Sequence, residues 1–108
     1  MPEAASSALS GVREQLGAAI EGIGDRTIRR QMGPLVNALD TAVNDRYRSR
    51  ARLLPAQANR SLKQFDHFVI QQLPRQVAIV IRLIEAGQVG KAYGELGDLV
   101  GEIRRSIQ

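Results

Sequence analysis

Leu73-Pro74-Arg75-Gln76-Val77-Ala78-Ile79-Val80-Ile81-Arg82-Leu83-Ile84-Glu85-Ala86-Gly87 is the stretch that decides the fold. Over residues 75–86 the apolar side chains fall on nearly every side of a helix. A helix that is apolar all round is expected to be the central, most buried one. No alternating, β-branched run between turn signals occurs here or elsewhere, so no strand is expected. Gly87 is a natural C-cap, and Leu73-Pro74 marks a kink or a fresh start.

Working upstream, Pro55 opens a helix over residues 55–73, with Ala58, Leu62, Phe65, Val69 and Gln72 or Leu73 as its stripe. The second main helix is predicted over 34–50. Leu35, Leu39, Ala42 or Val43, and Arg46 or Tyr47 share one face of it. Gly33-Pro34 reads as a stop and restart, because proline suits a first helical turn. A short helix over 26–32, capped by Asp25, precedes it. Residues 3–22 form the first helix, with Leu9, Val12, Leu16, Ala19 or Ile20, and Ile23 on its apolar stripe. Gly22-Ile23-Gly24-Asp25 ends it.

Downstream, a last helix over 88–107 carries Val89, Tyr93, Leu96, Val100, Ile103 and Ile107 in a near-heptad rhythm. Beside that seam run Gly90, Gly94, Gly97 and Gly101. Each glycine costs about 1 kcal/mol relative to alanine in a helix. Four on one stripe point to close approach by another helix of the same chain, by a neighbouring subunit or by a nucleic-acid backbone. The expected architecture is all-α: a compact bundle of four to five helices in a single domain over 1–108.

Charge is unevenly distributed along this frame. Residues 26–63 hold nine basic side chains: Arg26, Arg29, Arg30, Arg46, Arg48, Arg50, Arg52, Arg60 and Lys63. Only Asp40 and Asp45 oppose them, a net +7, whereas the flanks carry −3 and 0. Thirteen of the fifteen basic residues are arginine, the side chain for forked recognition of phosphate. Arg46, Arg48, Arg50 and Arg52 are expected to splay into solvent near a helix end. Asp45 can pair with Arg48 one turn on. The zone points to a polyanionic partner, foremost nucleic acid.

The remaining composition narrows the classes. An apolar content of 44% excludes disorder. With no cysteine there is neither a disulfide framework nor a thiolate metal site, which fits a cytoplasmic protein. No apolar run spans a bilayer, so no membrane is expected as a partner, and residues 1–6 lack the features of a signal peptide. Two Tyr, two Phe and no Trp make base stacking a minor mode, leaving electrostatic contact with the backbone.

Catalytic chemistry finds little support. His67 is the sole histidine. Arg60, six intervening residues and His67 resemble the ribonuclease signature of the HEPN superfamily, and the two fall on one helix face. The acids are scattered. Asp98 and Glu102, one turn apart, read as a solvated face that can pair with Arg105. Ser6, Ser7 and Ser10 read as helix-start residues. No enzyme activity, cofactor, metal or small-molecule substrate is expected.

The run Asp45-Arg46-Tyr47, then Ala51, Pro55-Ala56, Leu62 and His67, resembles the C-terminal helical region of the large subunit of type I-C CRISPR Cascade complexes. That region is also made separately as the small helical subunit. Gly87, Gly90 and Tyr93 resemble the family's glycine-led, Tyr-containing closing stretch. The chain departs from the Tyr-Tyr-His-Gln-Arg-like run found there, with Ala92-Tyr93-Gly94-Glu95 instead. The resemblance implies a non-catalytic subunit that holds target or displaced DNA beside the guide RNA. It also implies contacts with other Cascade subunits and with copies of itself. The alternative is a protein-interaction bundle, antitoxin-like or inhibitor-like, whose basic surface docks an acidic protein.

Overall fold

Asp25 sets the entry to the longest helix. Its carboxylate accepts the backbone N–H of Thr27 at 2.9 Å and of Ile28 at 3.1 Å, the N-cap expected from the sequence. The computed structural model describes residues 1–105. It contains α1 (Glu3–Glu21), α2 (Arg26–Ala51), α3 (Pro55–His67), α4 (Leu73–Glu85) and α5 (Val89–Arg105). A π-helical turn, Phe68–Gln72, joins α3 to α4 without a break, so residues 55–85 form one continuous helix and the bundle is four-helical. No strand occurs among the described residues, and the all-α expectation holds.

The two proline signals read as helix breaks act differently. Pro34 lies inside α2 and does not restart it. It deprives the Arg30 carbonyl of its usual donor, and Pro34 and Arg30 both lie at the exposed surface of the helix. A residue before proline normally resists the helical conformation through its Cβ. Here that residue is Gly33, which has none. At Leu73-Pro74 the backbone widens instead. Pro74 offers no N–H to Ile70, and the N–H of Leu73 donates to the carbonyl of Phe68, five residues back, as in a π turn.

Helices α1 and α5 lie between α2 and α4. Leu16, Met32, Leu39, Val43, Val69, Leu73, Val77, Val80, Leu96 and Ile103 are the largest wholly enclosed side chains between them. The molecule is elongated, 48 × 23 × 16 Å. At 1.5 Å per residue α2 alone runs about 39 Å, most of that long axis.

Two stripes differ from their expected orientation. Helix α4 is not buried on every side. Leu73, Val77, Val80 and Ile84 form its inner line, while Ile79 is 48% exposed. Its neighbours α1 and α5 cover one flank, and no described residue covers the outermost line of Arg75, Arg82 and Glu85. On α5 the inner line is Ala92, Leu96, Leu99, Val100 and Ile103, and Tyr93 is 41% exposed. Ile107 lies outside the described residues. The glycine row faces away from the bundle. A Cβ at Gly90, Gly94 or Gly97 would meet nothing within 4 Å, and at Gly101 only the side chain of Arg105. Among the described residues, no helix uses these glycines for close packing.

Candidate functional site

A straight α-helix turns about 100° per residue. On α2 this places Arg26, Arg30, Asn37, Thr41, Asn44, Arg48 and Arg52 in an arc of about 80°, opposite the buried line of Met32, Leu39 and Val43. Asn44 is half-buried and the other six are exposed. The result is one polar face with an arginine pair at each end and an uncharged middle. From Arg26 to Arg48, and from Arg30 to Arg52, the rise is about 33 Å.

Local energetics explain one end of this face and not the other. Arg48 and Arg52 sit where the helix dipole favours cations, and Arg48 donates to Asp45 at 2.5 Å. Arg26 and Arg30 sit at the positive end, where the dipole opposes them, and the described residues form no ion pair with them. Nothing inside the fold accounts for two exposed guanidinium groups there. Arg29 is different. It is half-buried, and its Nη1 donates to the Ile23 carbonyl at 2.7 Å, tying down the turn before α2.

The four alternating arginines do not act as one exposed fan. Arg48 and Arg52 are exposed, but Arg46 and Arg50 turn inward toward α3. Arg46 is only 6% exposed. The guanidinium carbons of Arg46 and Arg50 each lie 5.3 Å from the centroid of the Phe65 ring. Arg50 Nη1 donates to the Ser61 carbonyl at 2.8 Å and to Ser61 Oγ. Phe65 meets Tyr47 edge-on at 4.8 Å and stacks on Phe68 at 5.8 Å. The Tyr47 hydroxyl donates to Asp66 at 2.5 Å.

Burial, and then the charge of Arg50, lowers the Arg46 pKa to about 10. Burial also lowers that of Arg50, with Tyr47 partly countering it. The Tyr47 phenol is pushed up by burial and then by its bond to Asp66. This is an aromatic and cationic core layer rather than an exposed phosphate clamp.

Arg60 and Lys63 are exposed on the outer face of α3 together with His67. Asp98 and Glu102 are exposed on α5, and no ion pair joins either to Arg105 among the described residues. No metal-competent cluster occurs among the described residues, and no helix there is long and apolar enough to cross a membrane.

The inward turn of Arg46 had a signal in the sequence. It falls on the same face as Leu35, Leu39 and Val43, where an arginine breaks an otherwise apolar line. Pattern alone did not show that Phe65 would lie beneath it. The chain matches no family model, no curated protein and no solved structure.

Proposed function

We propose that the chain is a non-catalytic nucleic-acid-binding subunit that holds a phosphate backbone along the outer face of α2. The observation that carries this reading is the exposed Arg26, Arg30, Arg48 and Arg52 set on one side of one long helix and its C-cap. Its two ends are about 33 Å apart, close to the 34–36 Å of one duplex turn. A backbone meeting one end of α2 returns to the same side at the other. Asn37 and Thr41 between them offer hydrogen bonds without charge. Contacts of this kind fix position and carry no sequence information.

The resemblance of Asp45-Arg46-Tyr47, Pro55-Ala56 and His67 to the small-subunit region of CRISPR Cascade complexes supports a more specific proposal. The chain would be a small helical subunit of such a ribonucleoprotein, steadying the target or displaced DNA strand while guide pairing reads sequence. Arg60 and Lys63 on α3 extend the basic surface; Arg29, Arg46 and Arg50 lie off this face.

Fluorescence anisotropy over a salt series, with mixed-sequence duplex, single-stranded DNA and RNA, tests the site. Combined Arg26→Glu, Arg30→Glu, Arg48→Glu and Arg52→Glu should weaken binding irrespective of sequence. The salt slope should fall by roughly 0.7–0.9 for each phosphate that is no longer neutralised. Arg75→Glu with Arg82→Glu is the control, because those exposed arginines belong to α4, which α1 and α5 separate from α2. Equal weakening by the control, or no change in the α2 variant, overturns the placement. Binding only to an acidic protein, and to no nucleic acid at low salt, moves the function to the protein-docking alternative.

A further inference from the structure

The outer face of α2 leaves one feature unused. On the opposite side, a half-open cavity of about 300 Å³ is bounded by the C-terminal half of α2, by α3 and by the end of α5. Arg46 and Arg50 line it, with Phe65, Phe68 and Ile103 supplying apolar wall. Nε and Nη1 of Arg46 and Nε of Arg50 are buried without a hydrogen-bond partner. Packing on the Phe65 ring offsets charge but satisfies no N–H donor.

A buried, unpaired cation is among the costlier groups a core can hold. The described residues answer it with no carboxylate. Their ion pairs are Arg13–Asp40 and Arg48–Asp45, and Glu102 at the cavity wall is exposed and joined to neither guanidinium. A leucine or methionine would suit the α2 stripe better, so the arginine calls for a partner that the described residues do not supply.

We propose that this cavity binds a carboxylate carried on an apolar stem. Its oxygens accept from Arg46 and Arg50, and its stem lies against Phe65, Phe68 and Ile103. The volume sits at the small end of ligand sites. A phosphate monoester fits the chemistry less well. It brings a second charge and more hydrated oxygens into a mainly apolar hollow that already contains Glu102. The site is separate from the α2 outer face and does not depend on the reading of that face.

NMR titration of the full chain tests the proposal, following the Arg Nε–H resonances and the backbone amides of α2 and α3. Phenylacetate is the probe, phenylacetamide its neutral counterpart and phenyl phosphate the competitor. A peptide ending in Gly-Phe with a free carboxylate separates a docked chain from a free acid. Phenylacetate should shift resonances around Arg46, Arg50 and Phe65 saturably, and the amide should not. Arg46→Met should weaken binding about tenfold to a hundredfold while keeping the helical spectrum and the salt-dependent nucleic-acid binding. Tighter binding of the peptide identifies a docked chain as the source, and tighter binding of phenylacetate a small acid; both support the site. No shift at tens of millimolar, shifts scattered away from the cavity, unchanged affinity in Arg46→Met, or preference for phenyl phosphate each overturns it.

Discussion

Replacing Arg46 by methionine should stabilise the protein. The lowering of the Arg46 pKa to about 10 corresponds to ~3 kcal/mol disfavouring the buried cation, at 1.36 kcal/mol per tenfold change. Methionine keeps an unbranched stem of similar reach and removes the charge. Against this, the variant forgoes the attraction of the cation to the Phe65 ring, on the order of 1–2 kcal/mol for a desolvated pair. The balance favours the variant by about 1–2 kcal/mol, and for a chain of this length each kcal/mol moves the melting temperature by roughly 4–8 °C. Urea and thermal unfolding followed by far-UV circular dichroism read both quantities. Alanine is the wrong substitute, because its cavity cost would hide the electrostatic gain. A loss of more than about 1 kcal/mol in Arg46→Met, outside the usual scatter of neutral changes, would show that the guanidinium is satisfied in the free protein, and the argument from an unpaired charge would fail.

Two further outcomes follow from the same geometry. Pro34→Ala restores a donor for the Arg30 carbonyl and should stabilise α2 by about 1–3 kcal/mol. Gly33→Ala should help by up to about 1 kcal/mol only in the Pro34→Ala background, because with proline present the new Cβ meets the proline ring. An additive double-mutant cycle would refute that account of Gly33. Alkaline unfolding gives the second outcome. The raised Tyr47 pKa contributes stability that is lost as pH climbs past the ordinary phenol value, whereas the lowered Arg46 pKa carries a penalty that is relieved from about pH 10 upward. The two trends oppose each other in the wild type. Arg46→Met should therefore lose stability more steeply above about pH 10 than the wild type, and adding Tyr47→Phe should flatten the curve. Parallel urea midpoints for wild type and Arg46→Met across that range would refute the opposition.

The fold was largely legible because apolar residues recur at helical spacing in every element. Ends governed by one side chain, such as the Asp25 cap, were legible too. The prolines were not, because their effect depends on neighbours. Pro34 is tolerated by a glycine before it and by its exposed position beside Arg30, and Pro74 is absorbed by a π turn. Apolar content also misled on α4, where Ile79 sits in an open hollow beside Glu95, Asp98 and Leu99 and stays half-exposed; composition says that a residue can be buried, not whether a partner closes over it. For the candidate site, sequence showed the basic zone as a segment but not its division between an exposed and an inward-facing set. Alternation along the chain hides angular position, and about 200° separates neighbours such as Arg46 and Arg48 on the helix. The uncovered glycine row of α5 shows the same limit. Spacing reveals a stripe, while only the fold reveals which way it faces.

The length of α2 would have a consequence for a polyanion lying along it as proposed. Its two arginine ends stand about 33 Å apart, roughly four screening lengths at physiological ionic strength. Each end would therefore engage phosphates without sensing the other's charge. The helix between them fixes the span, so the second contact forms at a high effective concentration only when the ligand's own repeat matches. On that reading, a strand bent or stretched away from that repeat would keep one foothold and release the other. If the proposed function holds, the helix is a gauge: it would distinguish shapes of nucleic acid by whether both ends can be held at once.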